Sequence, residues 1–166
     1  MAGEPGSGKS ALALAIGRAT GAVVLDKDVI KTAALRAEAE ESLAGRIAYE
    51  AFFDLAESLL AQGLSVVLDS PSYFETIPAK GQAIAARHHV RYHFVECVCD
   101  DPAELARRLA NRSRLESQPG AIETRERSTV APAGAYLRID MRRPVGRCLE
   151  LVIEYLGHDP RQDLRR

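Results

Sequence analysis

Eight consecutive residues, Gly3-Glu4-Pro5-Gly6-Ser7-Gly8-Lys9-Ser10, fit the spacing G-x-x-x-x-G-K-[ST], and that spacing has one physical use. Glycines let the backbone turn so tightly that successive N–H groups converge on the oxygens of a phosphate, and a helix starting near Lys9 adds its positive end. In such a P-loop, Lys9 reaches the β- and γ-phosphates of a bound nucleotide, and the Ser10 hydroxyl becomes a ligand of the bridging Mg²⁺. All eight residues, Gly3, Glu4, Pro5, Gly6, Ser7, Gly8, Lys9 and Ser10, therefore read as cofactor-binding, with ATP and Mg²⁺ as the cofactors.

Three carboxylates stand where strands are expected to end. Asp26 and Asp28 follow the apolar run Val23-Val24-Leu25, and Asp69 closes Leu64-Ser65-Val66-Val67-Leu68. In parallel α/β sheets ligands bind beyond the carboxyl ends of strands, so acids there face the site rather than the core. Asp28 or Asp26 could take the proton of a hydroxyl attacking the γ-phosphate; Asp28 could equally cap the helix that follows. Asp69 ends a run resembling a Walker B strand, where a carboxylate orients Mg²⁺ or its water. Ser70-Pro71-Ser72-Tyr73 then offer hydroxyls to an acceptor pocket.

Arg108 and Arg112 lie four apart on one predicted helix face, and like charges at that spacing repel unless an anion neutralises them. The pair is expected to clamp the triphosphate, with Arg112 the stronger candidate. Arg143, after the last predicted strand, could stack on adenine; Arg125 and Arg127 are weaker candidates.

The elements that must position these groups alternate in strand-length apolar runs and amphipathic stretches, which predicts α/β architecture with a parallel sheet. Leu12, Ala13, Ile16 and Ala19 give the first helix its apolar face, and Gly21 ends it. Leu43, Ile47, Ala51, Leu55 and Leu59 mark one face of a longer helix. Further helices are predicted near 29–35, over 78–88 and after Pro144, the last with Val145, Leu149, Val152, Ile153 and Leu156 on its apolar side. Strands are predicted over 92–98 and 136–139. Asp101, Pro102 and Glu104 specify a helix start at N-cap, first and third positions. Residues 113–132 carry few large apolar groups and many charges, the composition of a lid.

The chain has 166 residues, 46% of them hydrophobic, and a net charge of -1. That is enough for one domain with its own core, and it gives no electrostatic reason to expect nucleic acid or a membrane as partner. No run approaches the length of a membrane span and no signal peptide is visible, so the expected location is cytoplasmic. Cys97, Cys99 and Cys148 have neither disulfide-framework nor zinc spacing. The four histidines, His88, His89, His93 and His158, also lack a metal-ligating spacing.

The strings G-E-P-G-S-G-K-S, L-D-K-D-V-I-K, S-V-V-L-D-S and D-P-A-E-L-A-R-R-L-A-N-R, in this order, resemble the AAA-type P-loop kinase-like ATP-binding proteins, with zeta toxins and chloramphenicol phosphotransferases as relatives. The resemblance implies a P-loop NTPase fold with a parallel sheet of order 2-3-1-4-5, ATP with Mg²⁺, and phosphoryl transfer to a hydroxyl of a small-molecule acceptor. By position it gives Lys9 and Ser10 the P-loop roles, Asp28 or Asp26 the base, and Arg112 the lid arginine. An ATP-hydrolysing switch without an acceptor is the alternative. Only Met1 and Ala2 precede the loop, so the first strand is truncated against the family pattern. Each omitted buried residue would forfeit roughly 1.5–3 kcal/mol, and the expectation is a reading frame that begins upstream, with Met1 internal to that strand. The acceptor and the oligomeric state are not legible.

Overall fold

The alternation read from the sequence is realised in a computed structural model that describes residues 1–111, 115, 117–118 and 128–157. Among these residues the chain order is β1 (Ala2–Gly3), α1 (Lys9–Thr20), β2 (Val23–Asp26), α2 (Lys27–Arg36), α3 (Glu41–Ala61), β3 (Val66–Asp69), α4 (Thr76–Arg87), β4 (Val95–Val98), α5 (Pro102–Asn111), β5 (Leu137–Asp140) and α6 (Val145–Gly157). All strand pairs are parallel. One ladder joins β2 to β3 from Val23↔Val66 to Asp26↔Asp69, and another joins β1, β4 and β5 in that order. Met1 links the two: its ammonium donates to the Leu68 carbonyl at 2.9 Å and its own carbonyl accepts the Ser70 N–H at 3.4 Å. The ladders thus supply the 2·3, 1·4 and 4·5 neighbours of the expected order, while β3 and β1 meet through Met1 alone.

Local chemistry fixes several boundaries. Gly21 closes α1 in the left-handed region at φ 75° and returns its N–H to the Gly17 carbonyl, an arrangement a side chain would strain. Asp101 starts α5 by accepting the N–H groups of Ala103 and Glu104 at 3.0 and 3.2 Å. Glu104 does not complete a capping box, because its carboxylate is held by Arg107 and Arg108 instead.

Two apolar clusters flank the strands. Leu12 and Ile16 of α1 meet Val95, Cys97, Ile139, Cys148 and Val152; Phe52, Phe53 and Ile84 form the second cluster with Leu25, Leu68 and Ile77 against them. Here α3 departs from expectation. Its buried residues are Ala44, Ala48, Phe52, Phe53 and Ala56, whereas Leu43, Ile47 and Leu55 are 40%, 41% and 45% exposed. The helix is apolar on both sides, and alanines turned inward let it approach its neighbours closely while two phenylalanines fill the remaining space. The same reversal is milder elsewhere: Ala19, Val145 and Ile153 are exposed, while Cys148 and Val152 carry the inner face of α6.

Candidate active site

The loop between β1 and α1 is built by close approach. A Cβ on Gly3 would sit 2.3 Å from the Cys97 carbonyl oxygen, so only glycine lets β1 lie against β4 at that point. Gly8, at φ 95°, turns the chain into α1. The first intrahelical bond runs from Leu12 N–H to the Gly8 carbonyl at 3.2 Å, and helix geometry leaves the N–H groups of Lys9, Ser10 and Ala11 without intrahelical acceptors. Lys9 is 8% exposed and the Ser7 Oγ is buried without a partner. Converging donors beside a buried cation fit an oligophosphate.

Arg108 adds contacts that the sequence did not announce. Its Nη1 donates to the Ser7 carbonyl at 3.2 Å, its Nη2 to the Met141 carbonyl at 2.9 Å and its Nε to Glu104 at 2.7 Å. The guanidinium thus ties the loop backbone to Met141 and Glu104, at the place where the sequence expects a clamp on the triphosphate. Hydrogen bonds from Arg107 and Arg108 pull the Glu104 carboxyl down to about 2. Glu104 neutralises Arg107 and Arg108 together; the expected pairing of Arg108 with Arg112 lies outside the described residues.

The carboxylates gather at the ends of β2 and β3, where Asp26 and Asp69 are register partners. Asp69 is 2% exposed, and its Oδ1 has no hydrogen-bond partner. A buried, unanswered carboxylate oxygen fits a metal ion or a water held by one, so the residues present suit Mg²⁺. Asp26 is half-buried and its carboxyl is raised, first by burial, then by the Asp69 charge and, more weakly, by Asp28; the Asp28 N–H and Lys9 oppose the rise. The Asp26 Oδ1 accepts that N–H at 2.8 Å, making Asp26, rather than Asp28, the cap of α2.

Asp28 lies one step further along. Its Oδ1 is 2.5 Å from the Lys27 ammonium, its Oδ2 accepts from the Gln118 amide at 3.4 Å, and its backbone carbonyl accepts the Ser117 hydroxyl at 2.9 Å. Ser117 is tied in turn to Thr32, whose hydroxyl donates to it at 2.9 Å. Lys27 also stands 5.6 Å from the centre of the Tyr49 ring. The Tyr49 hydroxyl donates to the Pro71 carbonyl at 3.4 Å, and the Ser70 hydroxyl donates to the same carbonyl at 2.8 Å. Ser72 gives its hydroxyl to the Val130 carbonyl and accepts the Val130 N–H at its own carbonyl, both at 2.6 Å.

Lys27, Tyr49, Thr32, Ser117 and Gln118 were not singled out by sequence reasoning. Lys27 carried a signal, being enclosed by two aspartates; the others carried none. Of the expected lid over 113–132, residues 115, 117, 118 and 128–132 are described. Arg112, Arg125 and Arg127 lie outside the described residues, as does His158. Arg143 is exposed, and its N–H donates to the Asp140 carbonyl at 3.4 Å.

A family model described as AAA domain matches residues 1–130. Among solved structures, an unliganded sugar kinase from Janibacter sp. HTCC2649 is 15% identical with a TM-score of 0.67, covering 95% of this chain and 92% of that one. The APS kinase of Mycobacterium tuberculosis in complex with AMPPNP and APS is 24% identical with a TM-score of 0.67, covering 95% of each chain. A gluconokinase from Sinorhizobium meliloti 1021 is 15% identical at a TM-score of 0.52, with 95% of each chain covered. No curated protein sequence matches the chain. At these identities the likeness establishes the fold, which is that of P-loop kinases.

Proposed function

The chain belongs to the AAA domain family through residues 1–130, and we propose that it transfers the γ-phosphoryl group of ATP to a hydroxyl of a small molecule. The observation that supports this reading most directly is the meeting of Asp26 and Asp69 in register at two strand ends, with one Asp69 oxygen buried and unpartnered. A hydrolysing or transferring site needs a cation-directed carboxylate beside its phosphate cradle, and this arrangement supplies one.

In this reading the N–H groups of Lys9 and Ser10 hold phosphate oxygens, and the Lys9 ammonium follows the transferring group into the transition state. Ser10 and Asp69 would hold Mg²⁺, which when bound neutralises charge on the β- and γ-phosphate oxygens. The acceptor oxygen bonds to the γ-phosphorus as the bond to the β–γ bridging oxygen breaks, and the hydroxyl proton passes to Asp28 or Asp26. Asp28 pairs with the Lys27 ammonium and accepts from the Gln118 amide, contacts that hold its carboxylate in place and support it as the base. Asp26, with its raised proton affinity and its cap, supports the local backbone. Arg112 is one residue beyond α5 and is proposed to reach the phosphates from that end; Arg143 is proposed to flank the adenine. No helix among the described residues is long and apolar enough to cross a membrane, and we place the site of action in the cytoplasm, where ATP is held.

The test is ADP release measured with a panel of sugars, polyols and amino alcohols. A kinase shows at least about a tenfold rise over bare hydrolysis with one acceptor, abolished by Lys9→Ala. A slow hydrolysis that no acceptor accelerates assigns the chain instead to an ATP-driven switch.

A further inference from the structure

The outer face of α3 carries features that the proposed reaction does not use. A groove of about 800 Å³ runs between α3 and the start of α4, with Ile47, Ala51, Phe74 and Ile77 among its lining residues. Ile47 is 41% and Phe74 57% exposed, and Leu43 and Leu55 continue the apolar surface along α3 at 40% and 45%. Residues four apart on a helix form rows, and α3 turns two of them outward: Leu43-Ile47-Ala51-Leu55 and, beside it, Arg46-Glu50-Asp54. The middle of the charged row is answered within the chain, since both Glu50 oxygens accept from the Lys80 ammonium at 3.1 Å. At its two ends, Arg46 and Asp54 are exposed, and among the described residues neither side chain has an ion pair or a hydrogen bond. Gly45 also lines the groove, and a Cβ there would meet nothing within 4 Å. Glycine inside a helix costs stability against alanine, and no contact within the chain requires it here; what it leaves is room for another backbone to come close.

Those features select a second copy of the chain as the partner. The charged row holds a cation and an anion at equal distances from Glu50. A two-fold axis that crosses the row at Glu50 therefore sets Arg46 of each copy against Asp54 of the other. Helix geometry carries the same axis over Ile47 in the neighbouring row, bringing Ile47 against its own counterpart and Leu43 against Ala51. Each copy supplies both halves of every contact, as an isologous interface demands. A net charge of -1 leaves little repulsion between copies to oppose it. We propose that the chain forms a two-fold dimer through the outer face of α3 and the groove beside it, held by two Arg46–Asp54 pairs around an apolar centre at Ile47, with Phe74 covered at its edge. Lys9, Asp26, Asp28 and Asp69 do not line this groove, so the pairing uses no residue of the phosphate site.

The experiment is sedimentation equilibrium on the full chain with paired charge reversals. The parent is expected to be a dimer at about 100 µM, and Arg46→Asp or Asp54→Arg alone, each setting like charges against one another twice, should weaken dimerisation at least about tenfold. Arg46→Asp combined with Asp54→Arg rebuilds both pairs with their signs exchanged and should return the dissociation constant to within about threefold of the parent's. A second measurement needs no charge change. Ile47→Cys, beside the axis, should cross-link to a dimer under copper-phenanthroline oxidation, whereas Leu14→Cys, 51% exposed on α1, should not; the three natural thiols are buried. A parent that sediments as a monomer at about 100 µM overturns the proposal. So does association that survives both single reversals unchanged, a folded double reversal that stays as weak as the single ones, or equal cross-linking of the two cysteine variants.

Discussion

The two halves of the sheet handle charge in opposite ways. At the end of β1, the groups proposed to meet a ligand are backbone N–H donors and one buried lysine, and Arg108 ties the loop that presents them, through the Ser7 carbonyl, to Met141 and Glu104. At the ends of β2 and β3 the groups are carboxylates, of which Asp26 is raised by burial and then by the Asp69 charge, while the Asp69 Oδ1 has no hydrogen-bond partner. The first half holds its loop in shape by contacts within the chain while leaving donors and the Ser7 Oγ open; the second carries an electrostatic cost that a cation or proton would relieve. In the proposed reading, one side is arranged to bind and the other to take up the cation or proton that the chemistry needs.

Substitutions can break that contrast. Lys9→Ala should remove more than about 100-fold of transfer rate, the scale of a lost transition-state donor, with Tm near the parent. Parental activity in a folded variant would refute the role of the loop. Next in size, Asp28→Asn should lower kcat by about 100-fold and leave ATP affinity nearly unchanged in equilibrium titration, since a base acts on the nucleophile. If Asp26→Asn rather than Asp28→Asn shows that split, the roles of the two acids are exchanged.

Asp26→Asn also sharpens the comparison through stability. The folded carboxyl is raised, so its ionised form costs stability above the folded pKa, and the cost is relieved as pH falls through that value. Asparagine keeps the cap, so the variant should melt a few degrees higher at pH 7, and the gap should close on acidification. Arg108→Met leaves Ser7 and Met141 carbonyls unanswered and should weaken ATP binding by about tenfold while kcat for bound substrate changes little. The smallest effect belongs to Glu104→Gln. The parent carboxyl sits at about 2, so its favourable pairing is present above the ordinary carboxylate range and lost only as pH falls through about 2. The group is partly exposed at the helix surface, so its pairing is screened by solvent and the substitution should shift Tm at pH 7 by no more than about 2 °C.

What could be read from the sequence depended on whether one residue type had one physical use. The loop from Gly3 to Ser10 was legible because its spacing serves phosphate and little else, and Asp26 and Asp69 because a strand's apolar run announces where it ends. The cap at Asp101 was legible for the same reason. The inner face of α3 was not, since Leu43, Ile47 and Leu55 make as good a stripe as Ala44, Ala48 and Phe52, and only the closeness of neighbouring elements selects the alanines. The bonds of Arg108 to the loop and to Met141 were not legible because their acceptors are backbone carbonyls 101 and 33 positions away in the chain. Lys27 and Tyr49 meet only after α2 and α3 pack together, and no local pattern records that encounter.

The three thiols give the molecule a built-in clock. Cys97, Cys99 and Cys148 are free and buried, and burial pushes the Cys97 thiol up to about 12. A folded molecule is therefore nearly silent to alkylating reagents, and labelling at neutral pH proceeds through whatever opening exposes a sulfur. Cys97 pairs in register with Gly3 at the root of the phosphate loop, whereas Cys148 belongs to α6 on one flank. The ratio of their labelling rates reports whether the centre of the sheet yields before its covering helix does. A nucleotide held by the loop would slow the Cys97 hand of that clock more than the other.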